Sequence, residues 1–233
     1  MINTLNESHL HKTLKTFYKN QSENAQTEIS VGPYIADILE SEKTIIEIQT
    51  ANLSSLKEKI EYYLNSRYKV KVVYPLVIKK SIELKKLDGS LKITRSPKKQ
   101  TLYSVFSELT GLYPFLSDKN FWLEIVEVEI TEERKETEEK VQNKSNTRRY
   151  KKNWIKTDKR LEKILYGTTL HLKSSYIKLI PKAIQKHFCV KDLVTCLKIK
   201  ENEARLFIWV YKKMNLIEEI EKKGNTKYYS IIR

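Results

Sequence analysis

The protein has 233 residues, of which 40% are hydrophobic and 31% are charged, and its formal net charge at pH 7 is +15. A chain of this length and apolar content can form one large core or two modest ones, which excludes a disordered protein. No apolar run approaches a membrane span, and residues 1–10 lack the apolar segment of a signal peptide, so we expect a cytoplasmic protein with no membrane part.

The net positive charge comes entirely from residues 144–233. Residues 1–143 contain 21 Lys and Arg and 21 Asp and Glu, whereas residues 144–233 contain 23 basic and 8 acidic residues. A neutral half followed by a strongly basic half indicates that the second half meets a polyanion, most simply nucleic acid. The alternative is a lysine-rich protein whose charged faces are only solvated.

The first part of the chain predicts a helix, a three-stranded meander and a second helix. Gly32-Pro33 and the charged turn Glu40–Lys43 separate short runs rich in β-branched residues. His9 and His11 are interpreted as surface or packing histidines, because side chains two apart on a helix diverge. The predicted elements are helix Ser8–Tyr18, strands Thr27–Val31, Tyr34–Leu39 and Ile45–Thr50, and helix Leu53–Asn65.

Two carboxylates lie inside these apolar strands. Asp37 lies between Ala36 and Ile38, and Glu47 interrupts a run of isoleucines. Isolated carboxylates among apolar side chains are costly unless a cation or a hydrogen-bond donor meets them. A divalent ion is one such cation, because Mg²⁺ binds one or two carboxylates together with water and phosphate oxygens. The alternative is that both acids are half-exposed and paired with lysines.

The order of Asp37 and Glu47, after a helix that carries Glu7, resembles the PD-(D/E)XK (restriction-endonuclease-like) nuclease superfamily. More narrowly, the chain resembles uncharacterised bacterial proteins that join such a domain, with an EIQT strand, to a C-terminal winged helix. The resemblance implies an α/β (α+β) fold whose core is helix, three strands, helix and strand. It also implies that Asp37 and Glu47 hold Mg²⁺ or Mn²⁺ and that Glu7 is a further acidic ligand.

One position departs from the pattern of this superfamily. Its usual lysine, two residues after the glutamate, is replaced by Gln49, as in some members of the superfamily. An amide can orient a water molecule but carries no positive charge. Lys57 or Lys59, on the following helix, is then the candidate that supplies this charge.

The middle of the chain predicts more strands around a basic turn. Arg95, Lys98 and Lys99 are candidates for phosphate contact, and a charged edge that resists aggregation is the alternative. Residues 131–150 lose apolar content and are predicted to be a charged linker or an extended exposed segment between domains. The predicted elements are strand Lys69–Leu76, a hairpin of Val77–Lys86 with Leu91–Thr94, helix Thr101–Leu109 and strand Phe121–Ile130.

The C-terminal part predicts short helices, a longer helix and a hairpin, which is the order of a winged helix. The predicted helices are Asp158–Leu165, Ser174–Leu179, Ala183–Phe188, Lys191–Leu197 and Glu201–Met214, followed by the hairpin Leu216–Glu221 with Lys227–Ile232. Arg and Asn read base edges, whereas Lys mostly meets phosphate. The candidate DNA contacts are Lys200, Asn202, Arg205, Lys212, Lys222, Lys223 and Lys227. A winged helix that binds protein is the alternative.

These observations divide the chain into a nuclease-like domain (1–130), a linker (131–150) and a winged-helix domain (151–233). The predicted function is metal-dependent endonucleolytic cleavage of DNA, which we expect to be double-stranded. The alternative is a catalytically inactive DNA-binding regulator, or a subunit of a defence or repair complex. The sequence leaves open whether the protein forms a homodimer or binds a partner protein.

Overall fold

The computed structural model of the protein describes residues 7–143, 146, 148–184 and 187–232. The first helix, α1, begins after Ser8, whose hydroxyl oxygen accepts a hydrogen bond from the His11 backbone N–H at 3.3 Å. Leu10, Leu14 and Tyr18 recur at every fourth position and are all buried, so one face of α1 lies against the protein core. The helix predicted at the start of the chain is confirmed.

The helices are α1 (His9–Lys19), α2 (Lys57–Asn65), α3 (Phe106–Leu109), α4 (Leu172–Ile177), α5 (Val190–Leu197) and α6 (Glu201–Lys213), with 3₁₀ turns before α2 (Leu53–Leu56) and α3 (Leu102–Val105). The strands are β1 (Gln26–Val31), β2 (Tyr34–Ser41), β3 (Thr44–Ile48), β4 (Lys69–Lys85), β5 (Leu91–Arg95), β6 (Phe121–Val141), β7 (Lys152–Leu170), β8 (His187–Phe188), β9 (Ile217–Lys223) and β10 (Thr226–Ile231). The fold is mixed α and β, which agrees with the predicted class. None of the helices in the described ranges is both long and apolar enough to cross a membrane.

Seven of the described strands form one mixed sheet in the order β1-β2-β3-β4-β6-β7, with β5 paired to the outer half of β4. The meander β1-β2-β3 is antiparallel, β4 lies parallel to both β3 and β6, and β7 returns antiparallel to β6. The β1–β2 turn requires glycine, because Gly32 has φ +59° and a Cβ there would lie 1.9 Å from the Tyr62 hydroxyl. The predicted three-stranded meander and the helix after it are confirmed.

The two faces of the sheet are covered by different helices. Helices α2, α3 and α6 contribute to the larger hydrophobic cluster, whereas α1 packs on the other face against the middle of β6. There Leu10 and Leu14 share a buried cluster with Val128 and Ile130. The His9 N–H also donates to Asp158 Oδ1 at 3.0 Å, which ties the start of α1 to β7.

The predicted linker at residues 131–150 is wrong over most of its length. Strand β6 continues without interruption to Val141, although this stretch has few apolar residues. Ion pairs between neighbouring strands replace apolar contacts, since Lys80 lies 3.1 Å from Glu132 and Arg160 lies 2.8 Å from Glu133. The boundary predicted at residue 130 therefore cuts through one strand.

The helix predicted at Asp158–Leu165 is also wrong, because this segment is the middle of β7. Leu161, Ile164 and Leu165 have the i, i+3, i+4 spacing of a helix face. In the strand, breaks in the β6–β7 register shift the inward positions, so that Leu161 and Ile164 both pack against the α1 side of the core. The register breaks in β7 therefore give this strand the residue spacing of a helix.

The segment after β7 contains α4, α5 and α6 and a small sheet ordered β8-β10-β9. The helices predicted near Ser174–Leu179, Lys191–Leu197 and Glu201–Met214 and the terminal hairpin are confirmed. The helix predicted at Ala183–Phe188 is not, because His187 and Phe188 form β8, whereas residues 185 and 186 lie outside the described residues.

Helix α6 packs this C-terminal segment directly onto the rest of the protein. The ring of Phe207 lies 4.8 Å from that of Phe106, and both are fully buried. The Ser104 hydroxyl donates to Glu203 Oε1 at 2.9 Å, and the Tyr103 hydroxyl donates to the Leu179 carbonyl at 3.0 Å. The C-terminal segment and the large sheet thus share one continuous hydrophobic cluster.

Candidate functional site

Asp37 and Glu47 lie beside each other on neighbouring strands. In the antiparallel pair β2–β3, Ile38 is opposite Ile46, so Asp37 and Glu47 each lie one residue beyond this pair, at the same end of the ladder. The Ile48 backbone N–H, next to Glu47, donates to Asp37 Oδ2 at 2.8 Å. The structure brings together the two carboxylates that the sequence selects.

Asp37 is held in its charged form. Its Oδ2 accepts a hydrogen bond from the Ile48 backbone N–H at 2.8 Å and lies 3.4 Å from His11 Nε2. Burial alone would raise the pKa of Asp37, but the hydrogen bond and charge of His11, the Ile48 N–H and the charge of Lys59 lower it below its usual value. Asp37 is therefore an ionised carboxylate at neutral pH.

His11 belongs to the site, contrary to its interpretation as a surface or packing histidine. Its Nδ1 contacts Glu7 Oε1, and Lys15 Nζ lies 2.7 Å from the same oxygen. Burial would lower the pKa of His11, but Asp37 and Glu7 outweigh it, so the pKa is raised. The signal in the sequence was the acid–histidine pair Glu7 and His11, one helical turn apart.

Glu47 is almost completely buried and has one firm partner. Its side chain is 1% exposed, and Lys59 Nζ lies 2.6 Å from Glu47 Oε2. The other oxygen, Oε1, makes no hydrogen bond of regular geometry, although the Tyr63 hydroxyl and the Asp37 backbone N–H both lie near this carboxylate. Burial and the charge of Asp37 raise the pKa of Glu47 to about 7, and Lys59 opposes this rise only in part.

The side-chain amide nitrogen of Gln49 is engaged by acceptors in the turn that follows β3. Its Nε2 donates to the carbonyls of Ala51 at 2.6 Å and Asn52 at 3.2 Å and to Ser55 Oγ at 3.0 Å. An amide nitrogen carries two hydrogens, so these three acceptors occupy it fully. Gln49 closes the turn between β3 and α2 and is not available to orient a water molecule through its NH₂ group.

Lys59 and Lys57 were alternatives for the positive charge of the site, and the structure separates them. Lys59 lies in the site through its ion pair with Glu47, whereas Lys57 is exposed to solvent. Lys59 is therefore the basic group of the cluster formed by Glu7, His11, Asp37, Glu47 and Lys59.

The donor set fits a divalent ion only through two acids. Across the described ranges, no group of three or more His, Cys, Asp or Glu is arranged to hold a metal ion. Glu7 is engaged by His11 and Lys15 and does not complete a three-acid ligand set. Glu47 Oε1, which Lys59 does not bind, and the ionised Asp37 fit a Mg²⁺ site of one or two carboxylates, with water or substrate in the remaining positions.

The raised pKa of Glu47 predicts how stability depends on pH. Above its unfolded pKa of 4.5 the unfolded chain loses this proton, whereas the folded protein keeps it until about pH 7, so stability falls as pH rises through this window. Glu47→Gln copies the neutral carboxyl and keeps an acceptor for Lys59. We expect the variant to be more stable than wild type at pH 8 by on the order of 2–3 kcal/mol, and about equal at pH 4.5.

Urea denaturation at both pH values, in EDTA, measures this difference. Glu58→Gln, which makes the same change at an exposed position of α2, is the control and should alter stability at neither pH. A Glu47→Gln variant that is less stable than wild type at pH 8 would show that the charged form is favoured in the fold.

A second feature joins two segments that the sequence singled out separately. Lys98 and Lys99 form one wall of a groove of about 670 Å³, and Lys198, Lys200 and Asn202 at the start of α6 form the opposite wall. The lining contains four lysines and one glutamate. Serine, threonine and glutamine side chains also line the groove, so it offers positive charge together with neutral hydrogen-bonding groups.

The other candidate contacts are mostly paired with carboxylates. Arg95 and Lys222 are exposed and lie outside this groove. The pairs are Arg205–Glu201 at 2.5 Å, Lys212–Glu219 at 3.1 Å, Lys227–Glu219 at 3.0 Å and Lys223–Glu221 at 3.0 Å. The β9–β10 hairpin is therefore less positive than its lysines suggest, because glutamates of β9 lie beside them.

Fold and site together define a mixed α and β protein with an acid pair on the meander at one edge of the sheet, in which Glu47 is buried and Asp37 is half-buried. The family description "Domain of unknown function (DUF8091)" matches residues 8–171, which is well over half of the chain, and the chain belongs to this family. The match runs from the start of α1 to one residue beyond β7, so it includes the whole seven-stranded sheet with its long strands β4, β6 and β7.

A relative extends the similarity to the C-terminal segment. The chain is 27% identical to a protein of Treponema pallidum (strain Nichols), described as an uncharacterized protein, over 232 residues. The similarity covers 98% of this chain and 86% of the relative. No solved structure matches the chain significantly.

Proposed function

We propose that the protein is a metal-dependent endonuclease that hydrolyses phosphodiester bonds of DNA. The observation that carries the proposal is the pair of a half-buried Asp37 and a buried Glu47 on neighbouring strands beside Lys59. Two acids and a lysine in one cluster supply the ligands and the positive charge that metal-assisted phosphoryl transfer uses. Perturbed pKa values at Asp37 and Glu47 also favour a functional site over a structural ion pair.

The chain order supports the same proposal. The elements α1, β1, β2, β3, α2 and β4 follow one another as helix, three strands, helix and strand, with β4 parallel to β3. This is the core order that the resemblance to the PD-(D/E)XK superfamily implies. Order alone does not fix activity, so the acid pair carries the proposal and the topology adds to it.

Each residue of the cluster has a distinct task in this proposal. Asp37 and Glu47 would hold Mg²⁺ or Mn²⁺, which when bound polarises the scissile phosphate and acidifies a water molecule. Lys59 fixes Glu47 through Oε2 and does not bind Oε1. The Ile48 N–H and His11 hold Asp37 Oδ2. Lys59 also places a positive charge where negative charge develops during phosphoryl transfer.

The direct test is a cleavage assay with purified full-length protein. Single-stranded and double-stranded DNA and RNA are each incubated with Mg²⁺, with Mn²⁺ and with EDTA. We expect cleavage of duplex DNA that requires a divalent ion. Absence of cleavage from every substrate with both ions would reject the proposal.

We further propose that α5, α6 and the β9–β10 hairpin act as a winged helix that presents the groove to DNA. The groove places four lysines on facing walls, and Asn202 on α6 has the side chain that pairs with adenine. Counter-ion release at these lysines would supply most of the affinity and make it dependent on salt.

Two charge-matched triple variants test which surface binds DNA. Replacing Lys98, Lys99 and Lys200 by alanine should weaken duplex binding and reduce the slope of log K against log salt by roughly 2–3 units. Replacing Lys222, Lys223 and Lys227 removes the same charge but should change the slope by about one unit or less, because Glu219 and Glu221 already accompany two of these lysines.

Fluorescence anisotropy over a salt series measures both slopes. Equal losses in the two variants would assign the effect to net charge, and a larger loss in the hairpin variant would place DNA on the hairpin instead of the groove.

A second candidate function is a binding protein that has no catalytic activity. The observation that favours it is the pairing of the acids, since Glu7 meets Lys15, Glu47 meets Lys59 and Asp37 meets His11. Such a protein would be a DNA-binding regulator or a subunit of a larger complex. DNA binding without cleavage, together with co-purification of a partner at low salt, would favour this function.

A further inference from the structure

A second cavity is lined by residues from the middle of β4, the middle of β6 and the first half of β7. It has a volume of about 290 Å³ and is bounded on one side by Thr50 and Ala51, which follow β3. Four lysines line it, namely Lys80 on β4, Lys98 in the turn after β5, and Lys156 and Lys159 on β7. None of the five residues of the acid cluster lines this cavity.

The cavity contains more positive charge than its acids can balance. Glu132, only 7% exposed, is already surrounded, with Lys80 at 3.1 Å, Lys156 at 3.5 Å and Arg134 in contact with its other oxygen. Glu108, the other carboxylate of the lining, accepts the Leu53 N–H at 2.9 Å. The lining therefore has four lysines and two glutamates, and both glutamates are engaged.

Lys98 and Lys159 make no ion pair with any described residue, so this excess leaves both without an acidic partner. The side chain of Lys159 is half-buried. Burial and the charges of Lys156 and Lys80 lower the pKa of Lys159 to about 8, and Glu132 offsets this only in part. A cluster of ammonium groups that repel one another is stabilised when an anion enters between them.

We propose that this cavity binds a phosphate group through Lys80, Lys98, Lys156 and Lys159. Lysine is a point-charge ligand that suits phosphate, and several ammonium groups around one concave site match its tetrahedral oxygens. The volume admits a phosphate monoester of the size of a mononucleotide or the terminal nucleotide of a strand.

The cavity is next to the groove at α6, because Lys98 and Gln100 line both. A terminal phosphate of nucleic acid and a free phosphate monoester are the two sources of this group. The site is separate from the acid cluster, since among described residues none of its four lysines pairs with Asp37 or Glu47. It therefore does not rest on the proposed nuclease activity.

Isothermal titration of the full-length protein in EDTA tests the site without any cleavage step. The probes are inorganic phosphate, adenosine 5′-monophosphate, adenosine, and one oligonucleotide with a 5′-phosphate or a 5′-hydroxyl. We expect phosphate and the monophosphate to bind and adenosine not to bind. Lys156→Ala/Lys159→Ala should weaken binding by about tenfold or more, since each lysine–phosphate contact is charge-assisted.

Lys152→Ala/Lys163→Ala removes the same charge from exposed positions of the same strand and should leave binding unchanged. A preference of the oligonucleotide for its 5′-phosphate, lost in the cavity variant, identifies a strand end as the source; binding of the small phosphates alone identifies a free monoester. Lys159→Met, which keeps the apolar stem and relieves repulsion, provides a folded variant if the double one is unstable. Equal affinity of wild type and the cavity variants for every phosphate probe would overturn the proposal.

Discussion

Asp37→Asn is expected to lower the rate of Mg²⁺-dependent DNA cleavage by more than about 100-fold, while DNA binding changes little. Asparagine keeps the shape and an acceptor for the Ile48 N–H, but it loses the charge that would hold a divalent ion. An interaction used mainly in the transition state reduces kcat when it is removed, whereas binding through a distant groove is unaffected. Single-turnover cleavage and anisotropy on the same preparations measure the two effects.

Asp88→Asn is the matched control for this change. Asp88 lies exposed in the β4–β5 turn and accepts hydrogen bonds from Ser90, a role that asparagine also fills. Its cleavage rate should equal that of wild type. If Asp37→Asn cleaves as fast as this control, the acid pair is not the catalytic site, whatever else the protein does with DNA.

Phe207→Ala is expected to destabilise the whole protein by about 3–5 kcal/mol. The ring is fully buried, stacks on Tyr211 at 4.0 Å and contacts Phe106 at 4.8 Å, so its removal leaves a cavity between α6 and the α3 side of the core. Because α6 and the large sheet share one cluster, the loss should appear in a single unfolding transition.

Phe17→Ala removes the same ring at a position that is 42% exposed, and it should cost less than about 1 kcal/mol. Circular dichroism and tryptophan fluorescence during denaturation compare the two variants. Two separate transitions, with only one shifted by Phe207→Ala, would instead identify an independent C-terminal domain of the kind that a linker at 131–150 implies.

The first half of the fold follows from local signals in the sequence. Gly32-Pro33 ends β1 and begins the turn, and β-branched alternation marks β2 and β3, so the strands are recognised from a few residues each. The four-residue spacing of Leu10 and Leu14 likewise predicts α1. Asp37 and Glu47 are recognisable as carboxylates within apolar strands. These elements are short, separated by clear turns, and pair with their neighbours in the chain.

The long strands β6 and β7 could not be recognised in this way. Their outer halves are stabilised by ion pairs between strands, such as Glu133 with Arg160, and the sequence of one strand contains no information about its partner. Register breaks also shift the inward positions along β7, which produced the helical spacing of Leu161 and Ile164. Charged, bulged strands lack the period-2 pattern on which a sequence-based prediction depends.

The site was predictable as far as the identity of its acids. Asp37, Glu47 and Lys59 are brought together as expected, but the exclusion of Gln49 from the cluster depends on the turn after β3, where three acceptors surround its amide. The role of His11 depends on the angle at which α1 crosses the sheet. The engagement of Gln49 is not encoded in residue spacing, and the spacing of Glu7 and His11 indicates that they pair but not that His11 approaches Asp37.

The hydrogen bond from His9 to Asp158 joins residues that are 149 positions apart, and it has a consequence for synthesis of the chain. During translation, α1 emerges long before β6 and β7, so its apolar face has no complete surface to cover until about residue 170 has left the ribosome. His11, which lies on the same helix, contacts Asp37 Oδ2 at 3.4 Å. Contacts of such separation form late and slowly, so a nascent fragment that ends before β6 and β7 lacks part of the surface on which α1 docks.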